Sequence, residues 1–210
     1  MKELYTSMNI DPTTSQVIEG AGQLAALGVR AGGVLLVHSS LKAARPAAGC
    51  IEHVVAALAR SLGDSGTLLI PALSFDEVTQ ASPVFDRQLT PSCIGAIPEF
   101  FRQLAATERS EHPTHSVSGF GAAAGEILAS HHMDTTPVGA HSPFRAVRDR
   151  RGQILMLGCG LRPNTSMHGV EEVAEAPYIF GGPITYTIHD GPKTRVKDHQ
   201  RHGFNDLEQR

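Results

Sequence analysis

The sequence is short of the residues that nucleic-acid-binding and membrane proteins rely on. Tryptophan is absent from its 210 residues and aromatic side chains make up 5%, which gives little support to a base-stacking surface. The formal net charge is −3, which argues against a strongly basic, phosphate-driven nucleic-acid binder. No apolar run approaches the roughly 20 residues that span a bilayer. We therefore expect neither nucleic acid nor a membrane among its partners.

Cysteine is also scarce. Cys50, Cys93 and Cys159 are odd in number, lie far apart and form no CxxC pair, so we interpret them as reduced thiols. The first residues are polar and lack the apolar core of a secretory signal. These features predict a cytoplasmic protein. Its length and its hydrophobic fraction of 41% are typical of a globular chain, and we expect a single domain over residues 1–210.

Apolar patterning predicts helices that alternate with buried strands. Uninterrupted apolar runs at residues 33–38, 67–71 and 153–158 favour strands that are covered on both faces. Apolar residues at helical spacing predict helices over residues 17–25 and 51–62. Weaker patterns indicate helices at 97–104, 122–130 and 165–176, and strands at 116–120 and 184–189. The sequence therefore predicts an α/β fold with helices on both faces of a sheet.

Three stretches lack a clear period. Residues 74–92 and 131–142 contain prolines, and we predict long loops there, which are often functional. Residues 193–210 are polar and charged, and they are a poor candidate for a packed element. Asp76 of the first loop can contact a cationic ligand, although we favour a solvated loop face as the explanation.

The segment from Gly158 to Glu172 carries the residues best suited to catalysis. It leaves a predicted strand, crosses a turn and enters a helix, at the sheet edge where α/β proteins bind ligands. His168 lies three residues before Glu171, a spacing that places a carboxylate beside the imidazole, as a general base requires. Thr165 lies one turn earlier, and its hydroxyl can donate to an oxyanion. An ordinary helix start that is capped by Thr165 has the same spacing.

Eleven histidines raise the question of a metal site. The densest clusters, His112 to His115 and His131 to Asp134, contain no HExxH and no cysteine partner. We therefore favour hydrogen-bonded loop histidines and expect no metal, with a metal-dependent hydrolase as a minor alternative.

Several segments together resemble the aminoglycoside 3-N-acetyltransferase family. These segments occur in the family's order and cover roughly residues 12–190. They are Val37-His-Ser-Ser-Leu41, Gly66-Thr-Leu-Leu-Ile-Pro71, Arg109-Ser-Glu-His-Pro-Thr-His-Ser116, Gly139-Ala-His-Ser-Pro143, Gly152-Gln-Ile-Leu-Met-Leu-Gly158 and Asn164-Thr-Ser-Met-His-Gly-Val-Glu-Glu172. The resemblance implies a three-layer α/β/α sandwich with a mixed, mostly buried sheet, unlike the acetyltransferases of the GNAT type.

The resemblance also implies a reaction and a set of residues. Family members transfer an acetyl group directly from acetyl-CoA to an amine, typically the 3-amino group of an aminoglycoside. His168 matches the general base, Glu171 its carboxylate partner and Thr165 the hydroxyl that stabilises the thioester carbonyl. The resemblance also assigns the Val37–Leu41 turn and the His112–Ser116 segment to the CoA cleft, and the candidates there are His38, Ser39, Ser40, His112 and Ser116. Outside the resemblance, Lys42 is a candidate for a CoA phosphate, although a lone surface lysine is the usual explanation, and Asp76 and Glu172 are candidates for the acceptor.

Two alternatives and two open points accompany this hypothesis. The first alternative is a protein that acetylates another small amine. The second is a non-catalytic CoA-binding remnant. Family members usually continue beyond the position of Phe204, so we expect either a truncated chain or a divergent short member of the family. We expect a monomer or a homodimer.

Overall fold

The structure of the protein is a computed structural model that describes residues 1–48 and 50–203. Its helices, α1 to α8, are Lys2–Met8, Ser15–Ala26, Leu41–Ala48, Ile51–Leu62, Ala96–Gln103, Ala124–Ala129, Pro143–Asp149 and Ser166–Val173. Its strands, β1 to β8, are Val34–Ser39, Thr67–Pro71, Val84–Asp86, Glu108–Arg109, Val117–Gly121, Gln153–Leu157, Phe180–Asp190 and Lys193–His202. A 3-10 turn spans His131–Met133. Among the described residues, no helix is both long and apolar enough to cross a membrane.

A mixed central sheet has the strand order β4-β5-β2-β1-β6. β1 runs parallel to β2 and β6, whereas β5 is antiparallel to β2 and β4. Because side chains alternate along a strand, Leu35 and Val37 of β1 pack in one apolar cluster with α2 and α4, and Leu36 packs in another with α6 and α7. This arrangement confirms the predicted α/β fold with a mixed, buried sheet.

The parallel strands of this sheet end at one edge. β1 ends at Ser39, β2 at Pro71 and β6 at Leu157, and α/β sheets bind ligands beyond such ends. Gly158 follows β6 with a φ of +72°, and a Cβ there would lie 2.6 Å from the Cβ of Ala43. Glycine is therefore required at the turn that leads the chain towards α8.

A second sheet, which the sequence patterns did not indicate as a unit, has the order β3-β7-β8. β7 and β8 form an antiparallel hairpin, and β7 contains the strand predicted at 184–189. The expectation that residues 193–210 form no packed element is wrong for 193–202, while 204–210 lie outside the described residues.

β8 shows no apolar periodicity, because backbone hydrogen bonds and polar side-chain contacts stabilise it and not an apolar face. Among its side chains only those of His199 and His202 are buried, so the strand depends on backbone pairing with β7. Arg195 also pairs with Glu111, and the ammonium of Lys197 donates to the carbonyl of Asp134 at 2.7 Å. These polar contacts connect the second sheet to the loops around the first.

The two predicted loops also contain short elements. β3 lies inside 74–92, where Phe85 is fully buried against Ile188 and its neighbours on β7, and the 3-10 turn lies inside 131–142. The sequence patterns did not indicate α1, α3 or α7. The other predicted helices and strands are present, with ends that shift by a few residues.

Candidate functional site

A cavity of about 270 Å³ lies at the carboxyl edge of the central sheet. Its wall is mainly apolar and includes Val37, Leu73 and Pro98. Its polar and charged lining residues are His38, Ser39, His115, Arg162, Thr165 and His168. The cavity therefore brings together the end of β1 and the start of α8, as the sequence predicts.

His168 forms a hydrogen-bonded pair with Glu171 inside α8. Nδ1 of His168 lies 2.7 Å from Oε2 of Glu171, and the hydroxyl of Tyr178 donates to the other carboxylate oxygen at 2.9 Å. An ionised carboxylate only accepts hydrogen bonds, so it favours the tautomer with the proton on Nδ1. Nε2 then carries the lone pair, which is the arrangement that a general base needs.

Burial and hydrogen bonding act in opposite directions on this pair. Burial lowers the pKa of His168, and although the bond from Glu171 raises it, the pKa remains below its usual value. Burial raises the pKa of Glu171, but the hydrogen bonds from His168 and Tyr178 outweigh it, and the pKa is lowered. At neutral pH the pair therefore holds a neutral imidazole beside an ionised carboxylate.

Thr165 lies one helical turn before His168 and shares the cavity wall. It occupies the N-cap position of α8, yet its side chain makes no capping hydrogen bond. Its carbonyl instead accepts the backbone N–H of His168 at 3.1 Å. The structure therefore places Thr165 in the same cavity wall as His168 and gives its hydroxyl no capping role.

Glu172 points into the protein, although it neighbours Glu171 in sequence. Its carboxylate accepts hydrogen bonds from the Thr136 hydroxyl at 2.7 Å and the Val138 N–H at 2.8 Å, and it lies 2.7 Å from Nε2 of His202. The side chain is buried and does not line the cavity. This placement gives Glu172 an internal role and does not favour the predicted contact with the acceptor.

Two candidates for the CoA cleft lie inside the protein instead. Nδ1 of His112 accepts the backbone N–H of His115 at 3.0 Å. The hydroxyl of Ser116 donates to the carbonyl of Ala72 and accepts from Arg109, each at 2.8 Å. Both side chains are buried and absent from the cavity wall. These internal hydrogen bonds do not favour a contact with CoA, and the predicted cleft role of both residues stays a prediction.

The other cleft candidates lie around the end of β1. His38 and Ser39 line the cavity, and burial lowers the pKa of His38 to about 4, so its imidazole is neutral. Ser40 and Lys42 follow at the start of α3, outside the cavity wall, with Lys42 exposed. Asp76 is exposed beside a loop residue of the wall, and its predicted contact with an acceptor stays a prediction.

Four residues of the site, His115, Arg162, Tyr178 and His202, were not identified as site candidates from the sequence. The sequence offered a signal for His115, because it stands in a histidine-dense motif. Only its neighbours His112 and Ser116 were taken from that motif as site candidates. Tyr178 and His202 had no such signal, since Tyr178 reaches Glu171 across the turn that follows α8 and His202 reaches His168 from β8. In the part of the chain that the structure describes, no cluster of three or more histidine, cysteine or acidic side chains has the geometry of a metal site.

Comparison with known proteins points to one family. The model of the aminoglycoside 3-N-acetyltransferase family matches residues 36–209. Aminoglycoside N(3)-acetyltransferase IV of Salmonella sp is 38% identical over 185 residues, which cover 83% of this chain and 65% of that protein. Aminoglycoside N(3)-acetyltransferase VII of Streptomyces paromomycinus is 32% identical, over 75% of this chain and 60% of its own length. The chain thus spans less than two thirds of these relatives.

Solved structures agree with the family match. The apoenzyme of aminoglycoside acetyltransferase AAC(3)-IVa superposes with a TM-score of 0.72 at 32% identity, over 90% of this chain and 70% of that one. AAC-IIIb in its binary complex with CoASH has a TM-score of 0.75 at 28% identity, over 89% and 75%. A variant of AAC(3)-IVa has also been solved with a gentamicin, with a TM-score of 0.75 at 34% identity, over 88% and 69%.

Proposed function

The chain belongs to the aminoglycoside 3-N-acetyltransferase family, and from that premise we propose that it transfers the acetyl group of acetyl-CoA to the 3-amino group of an aminoglycoside. The observation that carries the proposal is the pair of His168 and Glu171, joined at 2.7 Å at the cavity beyond the parallel strands. A cofactor-binding remnant would not need a base whose tautomer is fixed. The complex of AAC-IIIb with CoASH supports CoA as the carrier of the acetyl group.

The chain's own residues supply a base and a hydrogen-bond donor. Nε2 of His168 accepts a proton from the amine as its nitrogen attacks the thioester carbonyl carbon. The hydroxyl of Thr165 donates to the carbonyl oxygen as negative charge develops there. The C–S bond then breaks while the C–N bond remains, and the imidazolium returns its proton to the departing thiolate. Glu171 stabilises the imidazolium through Nδ1.

The cavity fits the reacting end of the thioester. Its apolar wall at Val37 and Leu73 excludes water from a thioester that would otherwise hydrolyse. Arg162 places a positive charge in the same wall, suited to an anionic group of the donor. Neighbouring structures contain a gentamicin and apramycin, which makes both drugs suitable acceptors for a test.

The proposal is tested by following thiol release from acetyl-CoA with a thiol-reactive dye. The acceptors are gentamicin, apramycin and the simple polyamine spermidine, and the variants are His168→Ala and the control His189→Gln on β7. We expect release that requires an aminoglycoside, a loss of about 10²-fold or more in His168→Ala, and no change in the control. CoA binding, measured by calorimetry, should be the same in all three proteins.

Two outcomes would contradict the proposal. Wild-type turnover in His168→Ala would overturn the assignment of the base. An absence of release from the wild-type protein with every acceptor, while CoA still binds, would reject acetyl transfer and leave a binding module.

A further inference from the structure

His168 has a neighbour on the second sheet that the reaction above does not use. The ring of His202, near the end of β8, lies 4.9 Å from the ring of His168 between centroids, at an interplanar angle of 66°. The contact is therefore edge-on, as aromatic rings prefer. It joins the general base to a strand that lies about 30 residues further along the chain.

His202 is itself held in place by Glu172. Nε2 of His202 lies 2.7 Å from Oε1 of Glu172, and both side chains are almost fully buried. Glu172 in turn accepts from the Thr136 hydroxyl and the Val138 N–H. A buried carboxylate with three partners is rigid and costly to disturb. The His202 ring, against which His168 packs, is consequently held by contacts among three parts of the chain, which are residues 136–138, α8 and β8.

We propose that His202 is a positioning residue for His168, because its ring, anchored by Glu172, holds the base in the orientation that its bond with Glu171 requires. This inference rests on the proposed function for its kinetic consequences. Its geometry applies whether or not the protein transfers acetyl groups. It also gives the second sheet a role at the site, since β8 delivers His202.

The charged surroundings of His168 give this contact a pH signature. The groups around the two rings are Glu171 and Glu172 of α8, Tyr178 after it, His115 of the neighbouring segment and Arg162 of the cavity wall. Burial lowers the pKa of His168 and the charge of His202 lowers it further. Removal of the His202 ring should therefore raise the pKa of His168. It should also allow the His168 side chain to move more freely.

The variant His202→Gln tests the proposal in the full protein. Glutamine can still donate to Glu172 but has no ring, so the anchor is kept and the contact is lost. We expect kcat to fall by about tenfold, less than on loss of the base itself, with KM values within about twofold of the wild type. The acid limb of the pH–rate profile should shift to higher pH.

His189→Gln is the matched control because His189 lies nine residues along β7 from Phe180, the pairing partner of His202. That separation is roughly 30 Å in an extended strand. The ring of His189 bonds the Thr194 hydroxyl of the next strand, and its variant should match the wild type. A His202→Gln variant with unchanged kcat and an unchanged acid limb would overturn the proposal.

A second measurement needs no substitution and no catalytic activity. In wild-type protein with ¹³C-labelled histidine, we expect a nuclear Overhauser effect between ring protons of His168 and His202, and a His168 titration midpoint below the usual value of about 6.5. Absence of the Overhauser effect would overturn the proposal even if His202→Gln failed to fold. If this contact is observed while no thiol is released with any acceptor, the proposed function fails and the positioning contact stands.

Discussion

At the scale of single residues, the environment of His168 decides what its imidazole does. The carboxylate of Glu171 fixes the tautomer through Nδ1 and favours the protonated form, while burial favours the neutral one. The balance leaves the pKa below its usual value, so Nε2 can accept a proton at neutral pH. The residue type alone, without its neighbours, would not set this behaviour.

The variant Glu171→Gln tests the carboxylate. An amide is neutral, so it no longer stabilises the imidazolium, and we expect kcat to fall at least about tenfold. Because Glu171 raises the pKa of His168, its loss should move the acid limb of kcat/KM to lower pH. This shift is opposite to the one expected for His202→Gln.

Glu175→Gln is the control for that experiment, because Glu175 is exposed just after α8 and its replacement removes the same charge away from the imidazole. Its pH–rate profile should match the wild type. An unshifted acid limb in Glu171→Gln would assign the carboxylate function to another residue.

At the scale of elements, β3 shows how one buried ring orders a segment without periodicity. Phe85 is fully buried, and the guanidinium of Arg109 lies 4.9 Å from the centre of its ring. Arg109 also donates to the carbonyls of Thr90 and Ala72 at 2.6 and 2.9 Å. Phe85 therefore connects the second sheet to the edge of the first.

We predict that Phe85→Ala destabilises the protein by about 3–5 kcal/mol, the cost of removing a buried phenylalanine. The cation–π contact with Arg109 is lost as well. Leu89→Ala, on an exposed side chain of the same segment, should stay within about 0.5 kcal/mol of the wild type. Urea unfolding at neutral pH measures both, and equal stabilities for the two variants would reject the anchoring role of Phe85.

The elements also show which parts of the fold were predictable from sequence. The central strands were predictable because parallel strands are buried on both faces and leave uninterrupted apolar runs. The pairing of His168 with Glu171 was predictable because the two residues lie three apart on one helix. α7 had start signals, Ser142 as a bonded cap and Pro143 at its first turn, but its seven residues are too few for a clear period. β8 gave no apolar period, since it is held by backbone pairing with β7 and by polar side-chain contacts to residues far away in the sequence. His202 was missed because its contacts with Glu172 and His168 also join residues that are distant in the sequence.

At the scale of the whole molecule, the histidines form a buried network around the site. The ring of His112 lies 5.0 Å from that of His131 and 4.8 Å from that of His199, and His115 lies 5.1 Å from His202. Burial lowers the pKa of His131 to about 3 and that of His199 to about 4. The folded protein therefore keeps the imidazoles of His131 and His199 neutral at pH values where an unfolded chain protonates them.

This network predicts a protein that loses stability in mild acid. Unfolded histidines titrate near 6.5, so below that pH the unfolded state binds protons that the folded state excludes until the pH approaches 3 or 4. Each such histidine lowers the free energy of unfolding by about 1.4 kcal/mol per pH unit. Above pH 7 the same groups are neutral in both states and contribute no pH dependence.

The variant His131→Gln isolates one member of the network. It removes one buried titrating group, so the slope of unfolding free energy against pH, between about 6 and 4.5, should decrease by about 1.4 kcal/mol per pH unit, whatever its effect on stability at neutral pH. His132→Gln, on the exposed neighbouring side chain, should leave the slope as in the wild type. Urea unfolding across that range measures all three slopes. Parallel slopes for wild type and His131→Gln would mean that His131 is protonated in the folded protein, and the buried neutral network would have to be abandoned as the cause of acid sensitivity.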